Sequence, residues 1–382
     1  IKGLLALDEY QKNMAVGKDE ATLTSDSAFN QYHGHTQVGL AGREVVNVRS
    51  VTLSKDGTKM YSAGGDGRLL EWDFEKRTFV EIYSQENINR VVSISESERW
   101  LALATDEDDI NLFDLRDLTK LPVTLTGHQG AIYDLVFFED NSGFISVGAD
   151  KKIIINNFRN EKVLATLEHT VKTIALSPNG KMLAVGSMNG EILLFDLINN
   201  TPPEQIVRKN MDQKPILDIK FSHNGRFLAI GGLNIATGFG YAFIHELKAN
   251  KQYRPEFNGF SAQVNDVEFS KNDLLFSASS NDYTVRFWDM DPKNIFNLPT
   301  IIYDHKGWVW DASFHPNGKY IVTASEDGLI RKFPIKPDQM VADLCVYITR
   351  NMSEVEWRQY VSDPKEIPWI ETCLGKGKPL PE

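Results

Sequence analysis

Histidines and acidic side chains are the residues in this sequence that could perform acid–base or metal chemistry. The chain has 8 histidines, yet it contains no Gly-x-Ser-x-Gly, no His-Glu-x-x-His and no phosphate-binding P-loop. Most of the histidines fall at the corners or turns of a repeated pattern, namely His128, His169, His223, His305 and His315. We therefore expect structural histidines and predict that the chain is not an enzyme.

Two short stretches carry the side chains that metal ions prefer. His33 and His35 flank a glycine, and residues 106–109 are four consecutive acidic residues. Imidazoles at that spacing could clip a transition metal, and the carboxylates could collect calcium. A strand end with a repeat corner explains the first stretch more simply, and a solvated turn explains the second. We predict no metal and no cofactor.

The two cysteines, Cys345 and Cys373, both lie in the C-terminal tail. Two cysteines are too few for a disulfide scaffold or a four-cysteine zinc site. They could pair with each other, which would stabilise the tail by about 2–4 kcal/mol, mainly by restricting the unfolded chain. In a reducing cytoplasm they would remain thiols, and the sequence leaves both alternatives open.

The bulk composition is that of a folded protein with an acidic balance. The chain has 382 residues, of which 42% are hydrophobic, and 41 basic against 52 acidic residues give a net charge of −11. This balance weighs against nonspecific binding to nucleic acid or to anionic membranes. No apolar run approaches the length of a membrane span, and no signal peptide is visible. Because the first residue is Ile1, we expect a processed form or a fragment of a longer protein.

A repeated unit occupies most of the sequence. Residues 303–335 read as strand, Pro-Asn-Gly turn, strand, Glu-Asp-Gly turn and strand, which predicts an antiparallel meander. Further copies end in an aromatic residue, often followed by Asp, at intervals of 39 to 50 residues, and the longest interval coincides with a glycine-rich insertion at residues 231–240. An Asp or Asn often stands six residues before that position, where a tight turn needs a left-handed backbone.

These marks resemble the WD-repeat family, through pairs such as Trp72-Asp73 and Trp288-Asp289 and the corners Gly127-His128 and Asp304-His305. The period with this signature predicts an all-β fold, a seven-bladed β-propeller of four-stranded antiparallel blades over residues 27–336. The resemblance implies that the last blade takes its outer strand from the N-terminal part of the chain. Residues 28–32 are our candidate for that strand.

The resemblance also implies buried networks in which a corner His and a turn Asp bond a strand hydroxyl and the Trp. Here it implies pairs of His128 with Asp150 and of His305 with Asp327, with Phe333 in place of a Trp in the last copy. The corresponding markers of two further copies are expected to be structural as well. They are Asp66, Trp72, Asp282 and Trp288.

The two ends depart from the repeat. Apolar spacing predicts a helical segment and linker at residues 1–26 and a helical tail at residues 337–382. Both ends resemble segments of a group of bacterial WD-repeat proteins, in which the propeller ends a larger protein behind an NTPase module, a caspase-like peptidase, or a membrane helix with a coiled coil. None of these modules is in this sequence. The resemblance implies a module of a bacterial signalling or membrane-tethered protein.

One residue in each copy enters the innermost strand directly after an anchor position, which is apolar in every copy but the second. By alignment these residues are Arg49, Arg90, Tyr133, Lys172, Leu217, Asn265 and Trp310. In WD-repeat proteins such positions rim the channel on the face that most often binds partners, and we expect Trp308 beside Trp310. Arg, Tyr and Trp are enriched at interface hot spots. The alternative is that Trp310 and Leu217 only pack between blades.

The function we expect is a non-catalytic protein-interaction scaffold or sensor. Three basic residues on the rim of an acidic protein favour an acidic peptide or loop as partner, without nucleic acid and without insertion of this part of the chain into a membrane. A cytoplasmic location is favoured, with a periplasmic or membrane-tethered one as the alternative. Two other functions stay open: a propeller hydrolase or lyase would show several ionisable groups converging in one cleft, and an exported sensor of a small ligand or glycan would show an oxidised Cys345–Cys373 pair.

Overall fold

The fold is a ring of seven four-stranded antiparallel sheets, as the sequence predicted. The structure is a computed structural model. It describes residues 36–39, 47–73, 76, 78–158, 160–199, 201–206, 214–253, 256–291 and 299–335. The predicted helical ends and both cysteines therefore lie outside the described residues. Among those residues, no helix has the length and apolar character needed to cross a membrane.

The first strand, β1 (Thr36–Gly39), belongs to the last blade, and the following strands fill the blades in chain order from the inside outward. Blade 1 consists of β2 (Val48–Leu53), β3 (Lys59–Gly64), β4 (Arg68–Asp73) and β5 (Thr78–Ser84). Blade 2 consists of β6 (Asn89–Ile94), β7 (Trp100–Thr105), β8 (Asp109–Asp114) and β9 (Val123–Thr126). Blade 3 consists of β10 (Ile132–Phe137), β11 (Phe144–Gly148), β12 (Lys152–Asn156) and β13 (Glu161–Thr166).

The remaining blades follow the same order. Blade 4 consists of β14 (Val171–Leu176), β15 (Met182–Ser187), β16 (Ile192–Asp196) and β17 (Glu204–Gln205). Blade 5 consists of β18 (Ile216–Phe221), β19 (Phe227–Leu233), β20 (Gly240–Glu246) and β21 (Lys251–Gln252). Blade 6 consists of β22 (Val264–Phe269), β23 (Leu275–Ser280), β24 (Val285–Asp289) and β25 (Thr300–Ile302). Blade 7 consists of β26 (Val309–Phe314), β27 (Tyr320–Ser325), β28 (Leu329–Pro334) and β1.

The hydrophobic core lies between the blades. Each of the seven contacts between neighbouring blades has its own cluster of buried apolar side chains within the described residues. In the cluster between blades 1 and 7, Trp72 and Met60 pack with Val322 and Ile330. Because neighbours cover both faces of each blade, the second strands are buried along nearly their whole length, as β3 illustrates. A closed ring satisfies every blade in this way.

Ring closure uses an N-terminal strand, but a different one from our candidate. Strand β1 pairs antiparallel with β28, from Thr36 opposite Lys332 to Gly39 opposite Leu329. The assignment of this strand to residues 28–32 was therefore wrong. Connections from an outer strand to the next inner strand span 4 to 11 residues here, from residues 85–88 to residues 253–263, and a strand at residues 28–32 would have left 15 residues before β2.

The alternating strands define two faces of the ring. The mouth face, as we call it, carries the first residues of the inner strands, the turns between second and third strands, and the connections to the next blade. The turns between first and second strands lie on the opposite face. There, Gly57, Gly180, Gly225 and Gly318 adopt φ values of 66° to 71°, a left-handed backbone that glycine accepts without strain.

Blade 5 extends further over the mouth face than a simple tight turn would. Its second and third strands pair up to Leu233 opposite Gly240, and residues 234–239 form the tip. The amide of Asn234 donates to the carbonyl oxygen of Phe239 at 2.9 Å, and that of Gly238 donates back to Asn234 at 2.8 Å. The glycine-rich insertion therefore builds an ordered hairpin.

Candidate functional site

A β-bulge follows the first residue of every inner strand. In β2 the pairing with β3 shifts between Val48 and Ser50, which leaves Arg49 without an opposite residue. The other six inner strands shift at the same place. A bulge bends the strand and re-aims one side chain. The seven unpaired residues are the seven that sequence alignment selected: Arg49, Arg90, Tyr133, Lys172, Leu217, Asn265 and Trp310.

These seven side chains meet at one cavity. Each of them is half-buried, and all seven line a cavity of about 330 Å³ in the channel enclosed by the inner strands. Trp308 does not line it, but its ring meets that of Trp310 edge-to-face with centroids 5.4 Å apart. We call the seven lining residues together the rim.

Aromatic rings hold the rim cations in place. The guanidinium carbon of Arg49 lies 5.4 Å from the centre of the Trp310 ring, and that of Arg90 lies 5.6 Å from the Tyr133 ring. The ammonium of Lys172 lies 4.1 Å from the same Tyr133 ring. Cation–π contacts of this kind orient the cations without neutralising their charge.

Hydrogen bonds fix the other side of the rim. The indole N–H of Trp310 donates to Asn47 Oδ1 at 2.8 Å, which joins blade 7 to the start of blade 1. The side-chain amide of Asn265 donates to the carbonyl oxygen of Val309 at 2.7 Å and so joins blade 6 to blade 7. Trp310 thus packs between blades and lines the cavity at once, while Leu217 lines the cavity.

Burial and mutual repulsion act on the rim cations. Burial and then the charge of Arg90 lower the pKa of Arg49, while Asp106 and Glu326 act in the opposite direction. Burial and then Arg90 lower the pKa of Lys172 to about 8, although Asp134 opposes them. Arg49 and Lys172 are therefore partly desolvated, and the charge of Arg90 repels both of them.

Below the rim, the next residue of most inner strands bonds the neighbouring blade. Asp311 accepts the backbone N–H of Val51 at 2.9 Å, and Asp134 accepts that of Ile174 at 2.8 Å. Ser50, Thr173, Asp218 and Asp266 make the corresponding bonds. Blade 2 is the exception, because Val91 has no acceptor there, and the N–H of Leu135 bonds Asp134 instead. The sequence analysis did not predict these hydrogen bonds between blades, although Asp directly follows the rim residue in several copies of the repeat.

The channel interior gathers acidic groups around one lysine. Burial would by itself lower the pKa of Lys220, but the charges of Asp218, Asp134 and other carboxylates raise it. Burial raises the pKa of Asp311 to about 6 and that of Glu268 to about 8. Within the described ranges, no group of three or more His, Cys, Asp or Glu side chains is arranged to hold a metal ion. Residues 106–108 form the turn between β7 and β8, with Glu107 and Asp108 exposed, and Asp109 begins β8.

Large apolar side chains are exposed on one side of the mouth face. They belong to turns and connections of blades 4 to 7, between 39% and 57% exposed. They are Met188, Ile235, Phe239, Tyr283, Tyr303 and Trp308. Ile235 and Phe239 stand on the blade-5 hairpin tip. We call these six residues the apolar arc.

Two of the implied structural groups have hydrogen bonds typical of WD repeats. In blade 3, His128 Nδ1 lies 2.9 Å from Asp150 and its Nε2 lies 2.9 Å from the hydroxyl of Ser146. In blade 1, the indole of Trp72 donates to the hydroxyl of Ser62 at 2.7 Å. These groups are buried among the blade contacts and away from the cavity.

In other blades an arginine of the third strand is the partner of the turn Asp. Asp327 was expected to pair with His305. It instead accepts hydrogen bonds from both terminal nitrogens of Arg331, at 3.0 and 2.8 Å. His305 bonds Thr323 at 2.8 Å, and burial followed by the charge of Arg331 lowers its pKa to about 3. The Arg331 guanidinium reaches Asp327 from β28, the strand that directly follows the turn, so the carboxylate does not need the corner histidine as a partner.

An arginine is also the partner of the turn Asp in two more blades. Asp66 pairs with Arg68, and Asp282 pairs with Arg286 at 2.9 Å. Trp288 of blade 6 packs against Phe257, with ring centroids 4.5 Å apart. The signal for these pairs was an arginine two or four residues after the turn Asp, which the histidine-centred pattern overlooked.

Comparison with known families gives two matches. The family described as "Nucleolar protein 10-like, N-terminal domain" matches residues 8–230. The family described as "WD domain, G-beta repeat" matches residues 251–289 and 296–333. Together they cover strands of every blade, but β20 and the end of β19 in blade 5 lie between the two matched ranges.

Among curated proteins, the chain is similar to animal proteins at low identity. Echinoderm microtubule-associated protein-like 2 of Rattus norvegicus is 23% identical over 277 residues, which are 70% of this chain and 41% of that protein. The 77 kDa echinoderm microtubule-associated protein of Lytechinus variegatus is 22% identical over 297 residues, covering 74% and 43%. The chain thus spans about two fifths of the length of these curated relatives.

Proposed function

The chain belongs to the family of Nucleolar protein 10-like N-terminal domains and carries WD repeats, and from that premise we propose that it is a non-catalytic protein-interaction scaffold. A WD-repeat propeller fits such a role because rigid blades present side chains without reorganising when a partner binds. We further propose that residues 27–336 are the propeller module of a larger protein. Its upstream context in signalling or membrane tethering rests on the resemblance of the two ends, and the animal relatives lend no support to a bacterial one.

The proposed binding surface is the mouth face. The observation that carries this proposal is the convergence of seven bulged side chains on one cavity mouth, where Arg49, Arg90 and Lys172 supply charge and Tyr133 and Trp310 supply aromatic surface. Aromatic residues and arginine are the types that dominate binding energy at protein interfaces. We propose an acidic peptide or loop as the part of the partner that enters the mouth.

The apolar arc supports the choice of a protein partner. Six exposed apolar side chains stand on blades 4 to 7 of the same face, whereas the rim cations come from blades 1, 2 and 4. A small ligand would fill the cavity alone and would leave the arc uncovered. A polypeptide segment can place acidic residues at the mouth and apolar residues along the arc.

Charge reversal on the two faces tests this proposal. We expect Arg49→Glu with Arg90→Glu to reduce the capture of partners from a lysate of the source cells to background, as measured by quantitative mass spectrometry. The matched control is Lys181→Glu with Lys271→Glu, which reverses the same charge at exposed turns of the opposite face. Unchanged capture by the mouth variant, with its melting temperature preserved, would remove the rim from the binding surface.

Assembled microtubules are the first defined probe, because the relatives are named as microtubule-associated proteins. Co-sedimentation that the mouth variant loses and the control variant keeps would support a microtubule partner. If both variants pellet equally, the rim does not bind microtubules.

The converging carboxylates of the channel favour a second function, a hydrolase or lyase. Asp218, Asp266, Asp311 and Glu268 surround Lys220, which is the feature we expected of an enzyme. We prefer the scaffold because most of these aspartates accept backbone N–H groups of neighbouring blades and thereby join the ring. Turnover of an ester, glycoside or lactone substrate by the purified chain, abolished in Glu268→Gln, would reverse that preference.

A further inference from the structure

The interior of the channel and its rim differ in how their cations are paired. In the interior, Lys220 supplies a cation to the carboxylates, and its ammonium lies 3.6 Å from Asp218 Oδ1. At the rim, no carboxylate among the described residues forms an ion pair with Arg49, Arg90 or Lys172. The interior thus has a direct ion pair, whereas the rim cations have only the longer-range attraction of Asp106, Glu326 and Asp134.

The rim cations are held close together. Arg90 and Lys172 contact the same Tyr133 ring, so they are no further apart than the sum of their distances from it. After burial, the charge of Arg90 is the main cause that lowers the pKa of Arg49, so these two guanidiniums repel each other. The Nε atoms of Arg49 and Arg90 are buried and have no hydrogen-bond acceptor. Uncompensated donors held in one place are arranged for an anion supplied from outside.

We propose that the rim binds a phosphate monoester, coordinated by Arg49, Arg90 and Lys172. This inference rests on the proposed docking role of the mouth face and names the chemistry that the mouth recognises. A phosphate carries a charge of about −1.5 to −2 and three acceptor oxygens at neutral pH. A carboxylate carries one charge and two oxygens, so it neutralises less of the charge of three cations and accepts fewer of their hydrogen bonds than a phosphate does.

The aromatic rings and the interior explain how such a group would sit. Tyr133 and Trp310 lie within cation–π distance of the cations, and the N–H groups of a guanidinium point outward in its own plane, where phosphate oxygens bind. Below them, Asp134 and Asp218 face the channel. Their charge opposes a deeper anion, so the phosphate stays at the rim while the rest of its carrier lies over the mouth face.

Calorimetric titration of the full chain tests the proposal with defined probes. The probes are inorganic phosphate, phenyl phosphate, and a Gly/Ser heptapeptide with one central phosphoserine, beside the same peptide with Ser or Glu at that position. We expect the phosphorylated probes to bind and the Ser peptide not to bind. Arg90→Gln and Lys172→Gln should each weaken phosphate binding by about tenfold. Arg226→Gln, whose arginine also covers an aromatic ring but on the opposite face, is the matched control and should change nothing.

The probes also separate the two sources of the phosphate group. Tighter binding of the phosphopeptide than of phenyl phosphate assigns the site to a phosphorylated protein segment, and equal binding assigns it to a free phosphate ester. A Glu peptide that binds as tightly as the phosphopeptide would overturn the phosphate inference and leave the docking role intact. Absence of binding by every phosphorylated probe up to about 10 mM would overturn the anion site itself. Arg90→Lys and Lys172→Arg keep the charge and serve if the neutral variants fail to fold.

Discussion

Lys172 is the rim residue whose charge changes near neutral pH. Burial and the charges of Arg90 and Arg49 lower its pKa to about 8, and the charge of Asp134 acts in the opposite direction. A bound anion favours the charged ammonium, so the affinity for phenyl phosphate should fall as pH rises through that value, by up to about tenfold per pH unit. Titrations between about pH 7 and about pH 9.5 measure this.

Lys172→Arg is the control for that pH profile, because a guanidinium stays charged throughout the range. We expect it to bind phenyl phosphate with an affinity that no longer depends on pH above neutrality. An unaltered profile in this variant would show that another group titrates at the mouth.

The buried carboxyl of Glu268 should make the stability of the fold depend on pH. Burial raises its pKa to about 8 in the folded chain, from a model-compound value of 4.5. The folded state therefore binds the Glu268 proton more tightly than the unfolded state does. The resulting contribution to the free energy of unfolding is fully present below pH 4.5 and is lost as the pH rises through about 8. Glu268→Gln stays neutral, so its apparent melting temperature should exceed that of the parent by about 2 °C at about pH 9 and match it near pH 5. Glu107→Gln in an exposed turn is the control, and an equal gain there would refute the explanation.

At the residue scale, the sequence predicted which side chains surround the mouth but not how the blades are joined beneath it. The rim could be selected because its residues recur in one frame, six of them directly after an apolar residue and Arg90 after Asn89. The arginine partners of Asp282 and Asp327 were missed because the family pattern directs attention to a corner histidine. A guanidinium from the same strand satisfies the same carboxylate, and only the side-chain geometry reveals which donor is used.

At the scale of elements, the blade-5 hairpin is the feature that distinguishes this propeller from a regular one. Its tip exposes Ile235 and Phe239, by 56% and 57%, on an ordered loop. We expect Ile235→Ser with Phe239→Ser to weaken partner binding by about thirtyfold, because each apolar anchor at an interface contributes about 1 kcal/mol. The melting temperature should not change, since neither side chain is buried.

The matched control for the hairpin is Ile198→Ser with Leu274→Ser. These side chains are exposed by 66% and 58% but stand on the opposite face. Quantitative capture of the same partner by both variants compares the two faces directly. Equal losses in the two variants would mean that general surface hydrophobicity, not the apolar arc, controls capture.

Inner and middle strands were predictable because turn residues and apolar runs delimit them. The outer strands were not, since they are exposed and carry little pattern, and those of blades 4 and 5 are only two residues long. The misplaced closing strand has the same cause. The sequence of residues 28–39 offers more than one stretch that could extend as a strand, and the structure pairs Thr36–Gly39 with β28.

At the scale of the whole molecule, closure should determine stability. We expect a chain that begins at residue 40 to melt at a lower temperature than one that begins at residue 36, because only the longer chain can pair β1 with β28. Differential scanning calorimetry of the two chains measures the difference. Identical melting temperatures would mean that blade 7 does not need its N-terminal strand.

We propose above all that this propeller binds another protein at its mouth face. The most direct test of this proposal places a photoreactive benzoylphenylalanine at Leu217 or Tyr303 on the mouth face, and at Ile198 or Leu274 on the opposite face, in living cells. We predict that cross-links to one and the same protein form from the two mouth positions and not from the other two. Cross-links that form only from the opposite face, or a mouth that captures no protein at all, would contradict the account.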